Sequence, residues 1–404
     1  MKLPFVAYVL AMGTFLMGTT EFVVAGILPE IASDLHVTPA RAGLLVTTFA
    51  VGMIVGAPVM AILTRKLPSR LTLILALLVF AAGHLVIAIT SVFTIVLIAR
   101  FLTAVATGAF WSVSMIVATR AAGSGAGARA VGMVVAGGTL ANVAGVPIGA
   151  FVGQALGWRG PFWALAVLSA LATLVIARQV PAEHADAKSS SLRAEFAGLR
   201  SGRMWLAMAG SAGIMGGVLS TYTFVTPLLT ERSGVPEQLM PLVLITFGAG
   251  SLIGVTIGGR LGDAHPFRTT LIAASLTTAL LALLAIFSGF AVPAVVLISL
   301  AALTGFAVNP ITISLSVTYG KGAPNLAPAL STSAFNVGIA SGSGLAGVFL
   351  ESPLELEGPV TVGITFALIT VVVLAILGMM ERRRPQLPRG HADEQEEVAA
   401  APAH

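Results

Sequence analysis

Three ionisable side chains lie inside apolar runs of this chain: Glu21 in "GTTEFVVAGILPEIASDL" (18–35), His84 in "FAAGHLVIAI" (80–89) and Arg100 in "LIARFLTAVATGAF" (97–110). A charge in the middle of an apolar helix costs about 3 kcal/mol on membrane-insertion scales, so each needs a reason to be there. For Glu21 the chemical reason is proton carriage, since a carboxyl can gain and lose a proton while a helix moves around it. The competing reading is a static buried ion pair with Arg100 that only positions helices. Arginine does not titrate, so Arg100 reads as an electrostatic or structural partner. His84 reads first as hydrogen-bonded packing and second as a proton relay; no other histidine stands at ligand spacing, and no metal is expected.

A second set of residues could line a cavity for an organic solute. Asn142, Tyr222, Thr226, Asn309 and Asn336 are the polar or amphipathic side chains in otherwise apolar surroundings, and "STYTFVTPLL" (220–229) is the densest of these surfaces. Aromatic and hydroxyl groups in an apolar cavity suit a medium-sized, partly polar ligand.

The elements that must hold these groups follow from composition. The chain has 404 residues, 56% hydrophobic and 10% charged, with no cysteine, where a soluble domain carries about 25% charged residues. These values specify a membrane protein without disulfides or thiolate chemistry. Its apolar runs do not alternate as barrel strands do, so the fold class is all-α, with spans expected near 5–28, 41–63, 71–90, 94–118, 129–155, 160–180, 204–229, 238–260, 268–290, 293–318, 326–350 and 358–380. The opening run is too long for the core of a signal peptide and reads as an uncleaved first span.

The spans divide six and six around a polar segment at 181–203, giving halves at 1–180 and 204–380 and a charged tail at 381–404 expected to be disordered. A shift of 198 positions lays "FAVGMIVGAPVMAILTRKLPSRLTLI" (49–74) on "FGAGSLIGVTIGGRLGDAHPFRTTLI" (247–272), and also carries Gly18 to Gly216 and Pro29 to Pro227. An even number of spans per half makes this a parallel repeat about the membrane normal, a plan common in secondary transporters. Glu21 then corresponds to Leu219, and aligning "VLIAR" with "VLISL" pairs Arg100 with Leu300, so the charges belong to the first half alone.

Loop cations set the orientation. Alternate loops and both termini collect 18 Lys and Arg residues against three (Arg41, Arg159, Arg232) on the other side, which places both termini in the cytoplasm. The basic balance therefore belongs to cytoplasmic loops and implies no nucleic-acid partner.

Glycines at 137, 145, 149 and 153, with Ala141 in register, line one face of span 5, and Gly250, Gly254, Gly258 and Gly262 repeat that spacing in span 8. Together they suggest a sliding interface between the halves, with Pro147 permitting a bend. In the loop "GGRLGDAHPFR" (258–268), Asp263 either latches onto a helix N-terminus or Arg268, or lies in a solvated turn. There is no P-loop, HExxH, GxSxG or nucleotide fingerprint, so neither an enzyme nor a bound cofactor is expected. An ion gradient or the solute's own gradient must then drive transport.

These residues resemble the major facilitator superfamily, and within it the twelve-span drug:proton antiporters, over about residues 5–380. Gly259 and Asp263 are similar to the family's G-x-L-x-D loop motif. The first-half copy, "AILTRKLPSR" (61–70), departs from it, with Arg65 for Asp and Pro68 for Gly. Arg100 matches the arginine of the span 4 motif, with Thr103 and Ala104 in place of the usual Gln-Gly. "AGVPIGAFVG" (144–153), carrying Gly145, Pro147 and Gly149, is similar to the span 5 antiporter motif with Val146 inserted. "GTTEFVVAGILPEIASDL", "GVPIGA", "GGRLGDAHPF" and "SAFNVG" look like chloramphenicol-resistance exporters of actinomycetes. The resemblance implies a monomeric plasma-membrane antiporter that exchanges protons for chloramphenicol or a related amphenicol. Export of an endogenous sugar or nucleoside is the alternative, and a membrane receptor or enzyme a distant third.

Overall fold

The computed structural model describes residues 3–63, 67–123, 126–180, 195–196, 198–323 and 326–382. Arg65 and Lys66, most of the 181–203 segment, and the tail from Arg383 lie outside the described residues. Among the described residues there is no strand, and twelve helices are long and apolar enough to cross a bilayer. They are Phe5–Gly26, Pro39–Leu63, Ser69–Ile89, Phe93–Ala122, Arg129–Leu156, Gly160–Gln179, Gly202–Thr223, Glu237–Ala264, Pro266–Phe287, Ala291–Tyr319, Leu326–Leu350 and Glu355–Arg382, spans 1 to 12 below. The last runs to Arg382, two residues into the expected tail.

Two spans stop earlier than their apolar runs. Span 1 ends at Gly26 and restarts as a short helix, Leu28–Asp34, with Ile27 out of helical geometry between them. Span 7 ends at Thr223 and breaks at Phe224 in the same way. Pro29 and Pro227, equivalent in the repeat, explain both interruptions: each lacks an N–H and crowds the carbonyl four residues before it. The carbonyl released by Pro29 is that of Ala25, and it accepts a hydrogen bond from the Thr226 hydroxyl of the other half at 2.7 Å.

Helix pairing repeats between the halves. Span 2 packs on span 4 and span 8 on span 10; span 3 packs on span 6 and span 9 on span 12; span 1 packs on span 5 and span 7 on span 11. The seam between halves is made by span 2 with span 11 and by span 5 with span 8. An even number of spans puts Phe5 and Arg382 on one face of the bundle, here the chain-end face.

Hydrogen bonds across the seam cluster toward the opposite, far face: Thr226 to Ala25 O, Gln154 to Glu237 O at 2.7 Å, Thr38 to Glu351 at 2.8 Å and Thr47 with Ser343 at 2.8 Å. Ser333 to Ile54 O, at 2.9 Å, is the deepest toward the chain ends. The apolar core follows suit. One cluster runs unbroken through both halves toward the far face, whereas the chain-end side splits into a first-half cluster and a smaller second-half one around Met204, Met208 and Leu326, against which Ile62 rests. Glu195 and Gly198, from the segment between the halves, dock on the second: Glu195 accepts from the Leu326 N–H at 2.9 Å, and Gly198 lies against Gly322.

The glycine ridges do not face each other, contrary to the expectation of a sliding interface. A Cβ on Gly137, Gly145, Gly149 or Gly153 would strike Ala11, Thr19, Val23 or Ile27, all in span 1 or just beyond its end in the same half. On Gly250, Gly254, Gly258 or Gly262 it would strike Ser299, Leu303, Ala307 or Ile311 of span 10. Each ridge lets two helices of one half approach closely, which in lipid takes the place of a hydrophobic driving force. Glycines off these ridges meet the other half: an added Cβ on Gly248 would lie 2.2 Å from the Asn142 carbonyl, one on Gly43 2.5 Å from the Phe224 ring and one on Gly26 2.7 Å from Leu244.

The repeat also corrects the partner of Arg100. Gly52 and Gly56 lie against Phe101 and Val105, and Gly250 and Gly254 against Ser299 and Leu303, so the 198-residue shift holds through span 10. Arg100 then corresponds to Ile298, which is buried, and not to Leu300, which faces outward at 41% exposure.

Candidate functional site

Arg100 is fully buried in span 4 and is held from two neighbouring spans, 1 and 2. One terminal nitrogen, Nη1, donates to the Thr20 carbonyl at 3.0 Å and to the Thr20 hydroxyl at 2.9 Å; Nε donates to the Leu45 carbonyl at 3.3 Å. The guanidinium lies 4.4 Å from the Phe49 ring centroid, a cation–π contact in a dry site. Its second terminal nitrogen, Nη2, has no partner among the described residues.

The Thr20 oxygen reaches one step further, to His84 Nε2 at 2.6 Å, and His84 Nδ1 lies 2.7 Å from the Phe80 carbonyl. A carbonyl only accepts, so Nδ1 carries the ring hydrogen, Nε2 accepts from the Thr20 hydroxyl, and the Thr20 oxygen accepts from Arg100. His84 is stacked on Phe80 at 4.1 Å and is fully buried. It is part of the arginine's support, a role its position in the sequence does not reveal.

Glu21, the next residue after Thr20, is half-buried. Arg100 is the charged neighbour whose field reaches it. Among the described residues Glu21 makes no hydrogen bond and no ion pair, so the direct Glu21–Arg100 pair expected as one reading of the sequence is not formed. The arginine is committed to Thr20 and Leu45 instead. What results is a fixed positive charge beside a carboxyl that is free of partners.

Between the halves, four aromatic rings form a ladder across the seam. Phe22 of span 1 meets Tyr222 of span 7 edge-on at 6.1 Å; Tyr222 lies 4.2 Å from Phe247 of span 8; Phe247 meets Phe306 of span 10 edge-on at 6.2 Å. With Asn142 they close around a gap that has no room for a water-sized molecule. Drug-sized ligands occupy roughly 300–1,000 Å³, so a ligand could enter only if the rings part. Asn142 sits in a π-helical turn, Ala141–Gly145, that ends two residues before Pro147. Pro147 removes the donor for the Val143 carbonyl, and the wider turn absorbs the mismatch and carries Asn142 to the seam, its Oδ1 buried without a partner among the described residues.

The other sequence candidates separate. Thr226 lies in the far-face seam on Ala25. Asn309 accepts from the Ser211 hydroxyl at 3.3 Å within the second half, and Asn336 donates to Thr332 O of its own helix at 3.0 Å. Gly145 and Gly149 pack on span 1, while an added Cβ on Gly259 meets nothing within 4 Å. Asp263, in the last turn of span 8, and Arg268, in the first turn of span 9, are exposed, and among the described residues they form no ion pair with each other or with any neighbour, so no latch between them is made there.

A second cavity, of about 450 Å³, opens at the far-face seam, with Glu30 and Thr226 among its lining residues and Glu237 on the opposite wall. Burial, and then the charge of Glu237, push the Glu30 carboxyl up from its ordinary value. Asp34 nearby is held down, chiefly by its hydrogen bond from Arg159 at 2.5 Å.

Known proteins agree with this architecture. A "Chloramphenicol resistance protein" of Streptomyces lividans is 36% identical over 360 residues, 88% of this chain and 92% of that one. The "Inner membrane transport protein YdhP" of Escherichia coli K12 is 29% identical over 395 residues, covering 96% and 98%. Among solved structures, an inward-facing, occupied bacterial homolog of the human lysosomal transporter Spinster superposes with a TM-score of 0.71 at 16% identity, covering 94% of this chain and 97% of that one, a likeness of fold. The profile described as "Major Facilitator Superfamily" matches residues 10–347. With its twelve spans in two repeated halves and its transporter relatives, the chain belongs to the major facilitator superfamily and is a membrane transporter, not an enzyme.

Proposed function

We propose that this transporter exports a small organic drug, an amphenicol such as chloramphenicol, in exchange for protons. The observation that carries the reading is Glu21: a carboxyl without hydrogen bond or ion pair, beside an arginine that cannot give up its charge. Such a group can be protonated and deprotonated without dismantling the helices around it, as a static ion pair could not. The 36% identity to a chloramphenicol resistance protein supports the substrate class, and the aromatic ladder supplies faces on which a nitrophenyl ring would stack.

On this reading, which the loop cations favour for orientation, both termini lie in the cytoplasm, the carrier works as a plasma-membrane monomer, and the far-face seam closes the external side. In this inward-facing arrangement drug enters from the cytoplasm as the rings part, and the proton leaves Glu21 to the same side. The halves then rock, breaking the far-face hydrogen bonds, and drug is released outside as Glu21 is protonated. One proton crossing ~150 mV gains about 3.5 kcal/mol, enough for a drug gradient of several hundred-fold.

The test is drug-driven proton release from purified protein and uphill drug uptake into inverted vesicles, compared with Glu21→Gln. The variant is expected to lose both while still binding drug. Uphill pumping that survives the substitution removes the proposal. Unchanged amphenicol tolerance on expression, with increased sugar or nucleoside efflux, replaces the substrate and leaves the coupling standing.

A further inference from the structure

Resting on that reading of Glu21, we infer that His84 and Thr20 are positioning residues for proton coupling: they hold the Arg100 guanidinium away from Glu21, so the carboxyl stays available to its proton. The Thr20 hydroxyl has one hydrogen, and His84 Nε2 takes it at 2.6 Å because Nδ1 is committed to the Phe80 carbonyl. The Thr20 oxygen is thereby oriented with its lone pairs toward Arg100, 2.9 Å away. Without the imidazole acceptor the hydroxyl can rotate and present its hydrogen to the guanidinium, and the contact turns from attraction to repulsion.

Arg100 has one other option nearby. Its Nη2 lacks a partner, and the carboxyl whose field it shares is Glu21. An arginine released from Thr20 can satisfy that nitrogen by pairing with Glu21, because an orphaned buried donor is costly. Besides His84 itself, the charged and titratable groups at the network are Arg100 and Glu21. Span 6 contributes Phe162, with its ring 5.9 Å from the imidazole, span 3 contributes Phe80, and span 2 contributes Phe49 and the Leu45 carbonyl. The Thr20 carbonyl remains as an acceptor at 3.0 Å, so loss of the hydroxyl loosens Arg100 without expelling it.

An apolar carbodiimide reacts with a protonated carboxyl and not with one held as a carboxylate in an ion pair, so its rate at Glu21 reads this geometry directly, with no drug and no pumping required. In the full-length protein, Thr20→Val and His84→Leu are expected to slow labelling of Glu21 by about tenfold or more, while Thr20→Ser and His84→Gln, which keep a hydroxyl and an acceptor, stay within about twofold. In an Arg100→Gln background the effect of Thr20→Val is expected to vanish. Labelling at the parent rate in Thr20→Val protein with an unchanged melting temperature overturns the inference, as does slow labelling that persists without the arginine. Because Thr20→Val nearly preserves shape, it keeps the test decisive if His84→Leu fails to fold. A normal carbodiimide pattern in a protein whose Glu21→Gln variant still pumps would remove the antiport proposal and leave the positioning role intact.

Discussion

Tyr222 shows how much a single side chain contributes at the seam. It touches Phe22 of the opposite half and Phe247 of its own, and such aromatic pairs contribute about 0.5–1.5 kcal/mol beyond their buried area. Tyr222→Ala is expected to raise the KM for drug by up to about tenfold and to leave the maximal export rate within about twofold, the pattern of lost uniform binding. Initial-rate transport at varied drug concentration checks it; an unchanged KM would exclude the ladder from the drug path. Glu21 and Arg100 stand out in the sequence because charges are rare in apolar runs. Thr20, Phe22 and Phe306 do not, since a hydroxyl or a ring there is ordinary. One signal existed for Phe247: the repeat pairs it with Phe49, and each ring packs on a candidate site group, Phe49 on Arg100 and Phe247 on Tyr222 of the ladder.

At the level of the helices, glycine and proline decide how closely backbones approach and where they break. An added Cβ on Gly254 would lie 2.1 Å from the Leu303 carbonyl, a rigid backbone atom, whereas one on Gly259 meets nothing. Gly254→Val is therefore expected to force spans 8 and 10 apart and to cost about 1–3 kcal/mol, seen as a lower melting temperature in detergent, while Gly259→Ala melts as the parent does. Equal melting of the two would refute the packing assigned to the span 8 ridge. The fourfold spacing of these glycines is plain in the sequence. Their partner helix is not, because a small-residue face fits any neighbour whose backbone comes near. Pro29 and Pro227 are likewise visible, but not that Thr226 of one half satisfies the carbonyl the other's proline releases.

For the molecule as a whole, the far-face seam is an equilibrium element, and Glu30 couples it to pH. In the closed seam the Glu30 carboxyl is held above its ordinary value, first by burial and then by Glu237; opening would return it to water. The sign follows from linkage: closure gains from protonated Glu30, the gain is complete below the ordinary carboxylate range, and it is lost as pH rises through the raised value. The chain has no cysteine, so spin labels at Ser91→Cys and Leu354→Cys report far-face opening without background. In a Glu21→Gln background, their separation is expected to lengthen as pH rises through that range, and adding Glu30→Gln should hold it short at every pH. A titration unaltered by Glu30→Gln would assign the sensitivity to another group.

The sequence by itself determined the number of spans, their bounds to within a few residues, the six-and-six division and the confinement of the charges to the first half. Each of these depends on chain-local quantities: apolar length against bilayer thickness, the cost of a charge in hydrocarbon, and internal repetition. The tertiary structure alone decided that Arg100 is held by Thr20 and Leu45 instead of Glu21, that both glycine ridges face inward within their own half, and that four rings from four spans meet across the seam. The physical reason is the solvent. In water an apolar stripe marks the buried face of a helix, but lipid is as apolar as the protein interior, so only packing against actual neighbours selects which face of each span turns inward.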